Sequence, residues 1–98
     1  MEFSETELIK FVKTFAAECI NNNAMPSKSD INGLQFLYYR PFDLLGKTYD
    51  NLGLKKSKPC FVIYSTHTKK IIFSTQDFSK NSICDMYETA SNHLDTIN

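Results

Sequence analysis

Two histidines (His67 and His93), three cysteines (Cys19, Cys60 and Cys84) and the tripeptide Gly46-Lys47-Thr48 are the residues suited by type to catalysis, metal binding or phosphate binding. Cys84 is the best nucleophile among them. It reads as lying near a helix start and close to Lys80, and both features lower a thiol pKa. A thiol enzyme also needs a base held beside the sulfur. Neither histidine stands at a catalytic spacing from a carboxylate or a nucleophile, so both are expected in solvent. No Cys-x-x-Cys pair exists, and no histidine lies at metal-ligand spacing from a cysteine. A P-loop ending in Gly46-Lys47-Thr48 requires its first glycine at position 41, which is Pro41. The residues therefore assign no catalytic, cofactor-binding or metal site, and the chain is expected not to be an enzyme.

Two other groupings point to binding. Tyr38, Tyr39, Arg40 and Phe42 cluster in one stretch. Aromatic residues and arginine are enriched at the centres of protein interfaces, which makes these four the candidate protein-binding residues. Lysines gather further along, at Lys55, Lys56, Lys58, Lys69 and Lys70, with Lys80 beyond and Asp77 the one acid in the segment. They are the candidate contacts for nucleic acid. Helices followed by a hairpin with a lysine-bearing tip resemble the layout of winged-helix DNA-binding domains, with the hairpin as the wing. Against that alternative, residues 42–52, which would be the recognition helix, carry Asp43 and Asp50 beside a single lysine and no arginine. Such a helix meets phosphates badly.

Length and composition set the frame. Ninety-eight residues, 42% of them hydrophobic, are expected to form one globular domain with a real core. Basic and acidic residues balance to zero net charge, which argues against a dedicated nucleic-acid binder. No apolar run approaches membrane-spanning length, and the acidic start Met1-Glu2-Phe3-Ser4-Glu5 lacks the plan of a signal peptide. Three widely spaced cysteines read as reduced thiols in a cytoplasm. Abundant Lys, Asn and Ile fit AT-rich coding DNA of the kind found in phages, plasmids and low-GC bacteria.

The elements that must carry these residues follow from periodicity. Pro59 to Gln76 contains two runs of β-branched and aromatic residues around Thr66-His67-Thr68-Lys69 and predicts a β-hairpin. Its first strand is apolar on both faces and is expected to be covered on both. In its second strand Ile71 and Phe73 are expected on one face and Ile72 on the other. Ser4 and Glu7 form a capping box, with Phe3 and Leu8 as a hydrophobic staple. Leu8, Phe11, Val12, Phe15, Ala16, Cys19 and Ile20 then make an apolar helical stripe that ends at Asn21-Asn22-Asn23. A second such stripe, Ile83, Met86, Tyr87, Ala90, Leu94 and Ile97, follows a Ser79 cap stapled by Phe78 and Ile83.

Between them, Pro26 to Asp30 reads as a turn or a helix start. Residues 31–39 fit a helix through Ile31, Leu34, Leu37 and Tyr38, or a strand through Leu34, Phe36 and Tyr38, and the helix is preferred here. Pro41 is expected to open a further helix bearing Phe42, Leu45, Tyr49 and Leu52, weakened by Gly46 and stopped at Gly53. The expected fold is thus α+β: amphipathic N- and C-terminal helices packed on a β-hairpin, with one or two short helices between. The expected function is a small non-enzymatic protein, of the regulator or inhibitor type that phages and plasmids encode. It would bind another protein, or itself as a homodimer, and not a membrane.

Overall fold

Asn32 and Gly33 both take positive φ, +52° and +88°. A two-residue loop with that backbone is a type I′ turn, whose twist matches that of the strands it joins. In the computed structural model, which describes residues 5–24 and 30–97, this turn links β1 (Asp30–Ile31) to β2 (Leu34–Tyr39). The helix expected over 31–39 is therefore a strand pair. Strict alternation of buried and half-buried residues along β2 shows why. Leu34, Phe36 and Tyr38 all reach one core only when the chain is extended.

The remaining elements are α1 (Glu5–Asn22), α2 (Gly46–Leu52), β3 (Cys60–Ser65), β4 (Lys70–Thr75) and α3 (Lys80–Ile97). The strands form one antiparallel sheet in the order β1-β2-β3-β4. The architecture is α+β, as expected, but the hairpin is half of a four-stranded sheet, and only the short α2 separates its two halves. The Ser4–Glu7 capping box, the Phe3–Leu8 staple and the turn around Pro26 lie outside the described backbone and side chains.

β3 is central and buried on both faces, while β4 is an edge with a more open pattern. Along the β3–β4 pair, Ile63 faces Phe73 and Tyr64 faces Ile71. Ile72 is the extra residue of a β-bulge. The bulge reverses the expected alternation. Phe73 and Ile72 pack against the core, while Ile71 is turned to the other face and is exposed.

α1 and α3 pack against each other and cover one face of the sheet. They contribute Val12, Phe15, Ala16, Cys19, Met86, Ala90 and Leu94 to a core shared with Ile31, Leu34, Phe36, Tyr38, Phe61 and Ile63. Among the described side chains both apolar stripes thus do what their spacing requires, except that Ile20 is 45% exposed. Aromatic rings join the layers. Phe36 meets Phe11 and Phe15 edge-on at 5.1 and 5.8 Å between centroids. Such pairs each contribute about 0.5–1.5 kcal/mol beyond their buried area. Asn23, just past α1, has φ +48° and ends the helix as asparagine is suited to do.

α3 begins as its sequence requires. The Ser79 Oγ accepts from the Ser82 N–H at 3.3 Å, and Ser79 is itself held by the Asp77 carboxylate through its N–H and its hydroxyl. These bonds, the backbone one first, hold the Asp77 carboxyl below its usual range. Ser79→Ala is expected to cost about 1 kcal/mol, read as a lowered midpoint in urea unfolding.

Candidate protein-binding site

The excursion between β2 and β3, residues 40–59, carries Arg40 and the exposed aromatic Phe42. Pro41 does not open a helix. α2 begins only at Gly46, and residues 40–45 form a tight, hydrogen-bonded loop. The Arg40 N–H and its Nε both donate to Asp43 Oδ2, at 2.8 and 3.1 Å, and the Asp43 N–H returns to the Arg40 carbonyl at 3.0 Å. The side-chain bond from Arg40, then its backbone bond, holds the Asp43 carboxyl below the usual carboxylate range. Tyr49 is fully buried, and its hydroxyl sits under the loop, donating to the Arg40 carbonyl at 3.4 Å and accepting from the Leu44 N–H at 3.3 Å. The Phe42 N–H reaches across to the Lys56 carbonyl at 2.9 Å.

The far side of the excursion is equally tied down. The Gln76 amide donates to the carbonyls of Lys55 and Lys58 and accepts from the Lys55 N–H. α2 stops in a Schellman motif at Gly53, whose φ of +69° is the left-handed conformation expected there. Its N–H bonds to the Asp50 carbonyl, and the Leu54 N–H bonds to that of Tyr49.

Within this scaffold Phe42 has φ +65° and is 70% exposed. A bulky L-residue in that region carries about 1–2 kcal/mol of backbone strain. Leu45 is 79% exposed. Both were expected at helical spacing along a helix over 42–52. Because the helix starts later, they stand outside it, and the loop holds two large apolar side chains in water.

The four residues singled out from the sequence divide. Tyr39 ends β2 and Arg40 and Phe42 lie on the loop that follows it: Arg40 and Phe42 are exposed and Tyr39 is half-buried. Tyr38 belongs mainly to the core, at 6% exposed. Its ring packs on Phe61 and Phe78, and its hydroxyl donates to Asn23 Oδ1 at 3.0 Å. Beside the loop is a recess of about 410 Å³ lined by Ala24, Tyr38, Tyr39, Arg40 and Asp43. Burial, then the neighbouring Cys60 and Asp43, pushes the Tyr39 phenol up, so it stays a proton donor at neutral pH. Leu45 is the residue that sequence reasoning missed. The signal for it was Pro41 followed by Gly46, two poor residues for one continuous helix.

The lysines do not form one wing. Lys55, Lys56 and Lys58 lie in the excursion, just before the start of β3, and Lys69 and Lys70 lie beyond its end. Five strand steps, about 17 Å, separate the two groups. The helix–helix–helix–wing layout is not formed, since one seven-residue helix stands between the strands and the hairpin is built into the larger sheet.

His67 is exposed, but His93 is half-buried, against expectation. Its Nε2 lies 2.8 Å from the Oγ of Ser65, which is fully buried and also accepts from the Thr68 N–H. The pair ties α3 to β3, and burial keeps the serine from any substrate. Cys19 and Cys60 are core thiols, pushed up to about 12 and about 11, chiefly by burial. Cys84 is exposed on α3. Among the described residues, no helix is long and apolar enough to cross a membrane. No protein-family model, curated protein or solved structure matches the chain.

Proposed function

We propose that this chain is a small non-enzymatic protein that acts in the cytoplasm by binding another protein, as a regulator or inhibitor, through the loop at residues 39–45. The observation that carries the reading is Phe42. An exposed aromatic side chain on a left-handed backbone contributes little to folding and costs strain. Hydrogen bonds to the Lys56 carbonyl and the Asp43 carboxylate, and one from the Tyr49 hydroxyl, nevertheless keep the loop in that shape. Rigid presentation of an aromatic beside an arginine and a recess is the arrangement of an interface centre, because little conformational entropy is lost on docking.

The reading is tested by Phe42→Gly. Glycine takes φ +65° freely, so relief of strain offsets the small apolar area lost. The variant is expected to melt at or slightly above the wild-type temperature. It is also expected to lose the protein that wild type retains from a lysate of the source organism, with binding weakened by about 30-fold or more. Tyr39→Ala and Arg40→Ala are expected to weaken the same complex. Retention of the complex by Phe42→Gly would put the interface elsewhere.

A further inference from the structure

The charge around this loop identifies the kind of surface that it meets. Residues 40–58 carry Arg40, Lys47, Lys55, Lys56 and Lys58 against Asp43 and Asp50, all exposed, in a chain whose net charge is zero. A net basic charge is therefore gathered where Phe42 and Leu45, the two most exposed large apolar side chains among the described residues, stand. Contact with the loop is direct: the Lys56 carbonyl holds the Phe42 N–H, and the Lys56 Nζ lies over Gly46, just inside α2. Because Arg40 is committed to Asp43, the lysines supply the unpaired charge.

We propose that the partner is a protein whose docking surface is acidic, with an apolar pocket at its centre that takes Phe42 and Leu45. This rests on the protein-binding reading above and adds the partner's chemistry. Complementary charge at the rim steers encounter and fixes register, while the buried apolar anchors hold the complex. A twofold pairing of this surface with a second copy of the chain is disfavoured, since an isologous contact sets lysines against lysines. Nucleic acid is disfavoured too: Asp43 and Asp50 lie inside the basic surface, and Leu45 has no ring on which a base can stack.

The test displays fragments of the source genome on phage and selects them on immobilised wild-type protein at low salt, with Phe42→Gly as the counter-selection. Binders are then titrated against wild type, against the triple variant Lys55→Glu, Lys56→Glu, Lys58→Glu, and against Lys69→Glu, Lys70→Glu at the far end of the sheet. The expected result is an acidic binder whose affinity falls by about tenfold or more with rising salt and in the triple variant. It should be unchanged in the far-end pair. Should the triple variant fail to fold, Lys56→Glu alone carries the comparison, with a loss of severalfold expected. A binder indifferent to salt and to the excursion lysines overturns this inference and leaves the protein-binding reading standing. A binder weakened equally by the far-end pair overturns it too, since overall charge and not this surface is then at work. Failure to enrich any binder over Phe42→Gly overturns both. So does binding confined to phosphatidylserine vesicles or to a DNA duplex tested alongside.

Discussion

Replacing Phe61 by alanine is expected to lower the unfolding free energy by about 3–5 kcal/mol, the range for emptying a buried aromatic site. The Phe61 ring is packed among three other aromatic rings. It lies 4.5 Å from Phe78, 5.3 Å from Tyr38 and 5.5 Å from Phe15 between centroids, and is 1% exposed. Those neighbours belong to the approach to α3, to β2 and to α1, so one truncation loosens all the layers at the same end of the sheet. A domain of this size has about 5–15 kcal/mol in total, so about a fifth or more of its stability is at stake. The check is urea unfolding, in which the midpoint should fall sharply while the slope stays constant. A loss under about 1.5 kcal/mol would mean that the rings do not pack as described.

The second large effect lies at the opposite end of the sheet. Gly33 holds φ +88°, and a Cβ there would fall on the His67 imidazole and press on the Thr66 Oγ1. Those side chains latch the hairpin tips together. The Thr66 Oγ1 donates to the Gly33 carbonyl at 2.8 Å, and the His67 Nε2 lies 3.2 Å from the Asn32 carbonyl. Gly33→Ala must both strain the backbone, for about 1–2 kcal/mol, and displace the histidine from its bond, for about 1 kcal/mol more. The expected loss is about 2–3 kcal/mol. His67 is exposed and free to swing away, so the test is a double-mutant cycle. In a His67→Ala background Gly33→Ala should cost only the strain. Equal costs in both backgrounds would show that the imidazole is not in the way.

Signals confined to a few neighbouring residues were legible in the sequence. The runs at 60–65 and 70–75, the helical stripes, the Gly53 stop and the Ser79 cap all follow from such signals. Residues 31–39 were misread because Ile31, Leu34, Leu37 and Tyr38 satisfy the helical period while Leu34, Phe36 and Tyr38 satisfy the strand period. Periodicity alone cannot choose between them. Asn32-Gly33 could have chosen, because no other dipeptide marks a tight hairpin as strongly. The bulge at Ile72 left no such mark, and with it went the facing of Ile71. The candidate binding loop was suggested by composition but not resolved. Whether Tyr38 or Tyr39 points inward is a matter of strand parity, which was lost with the helix assignment. The exposure of Phe42 and Leu45 depends on a loop closed by Lys56 and Tyr49, partners that no local pattern ties to it.

The antiparallel course of α1 and α3 has a practical side. Asn23, at the close of α1, and Phe78, before α3, both sit by Tyr38, whereas His93 lies by Ser65 at the other end. The Glu5 end of α1 and the Ile97 end of α3 therefore share the end of the molecule opposite Tyr38. A fluorophore or a bead attached there stands about 27 Å, the length of an eighteen-residue helix, from the helix ends beside Tyr38. Immobilised that way, the molecule offers its lysine-flanked loop outward, unobstructed by its own anchor.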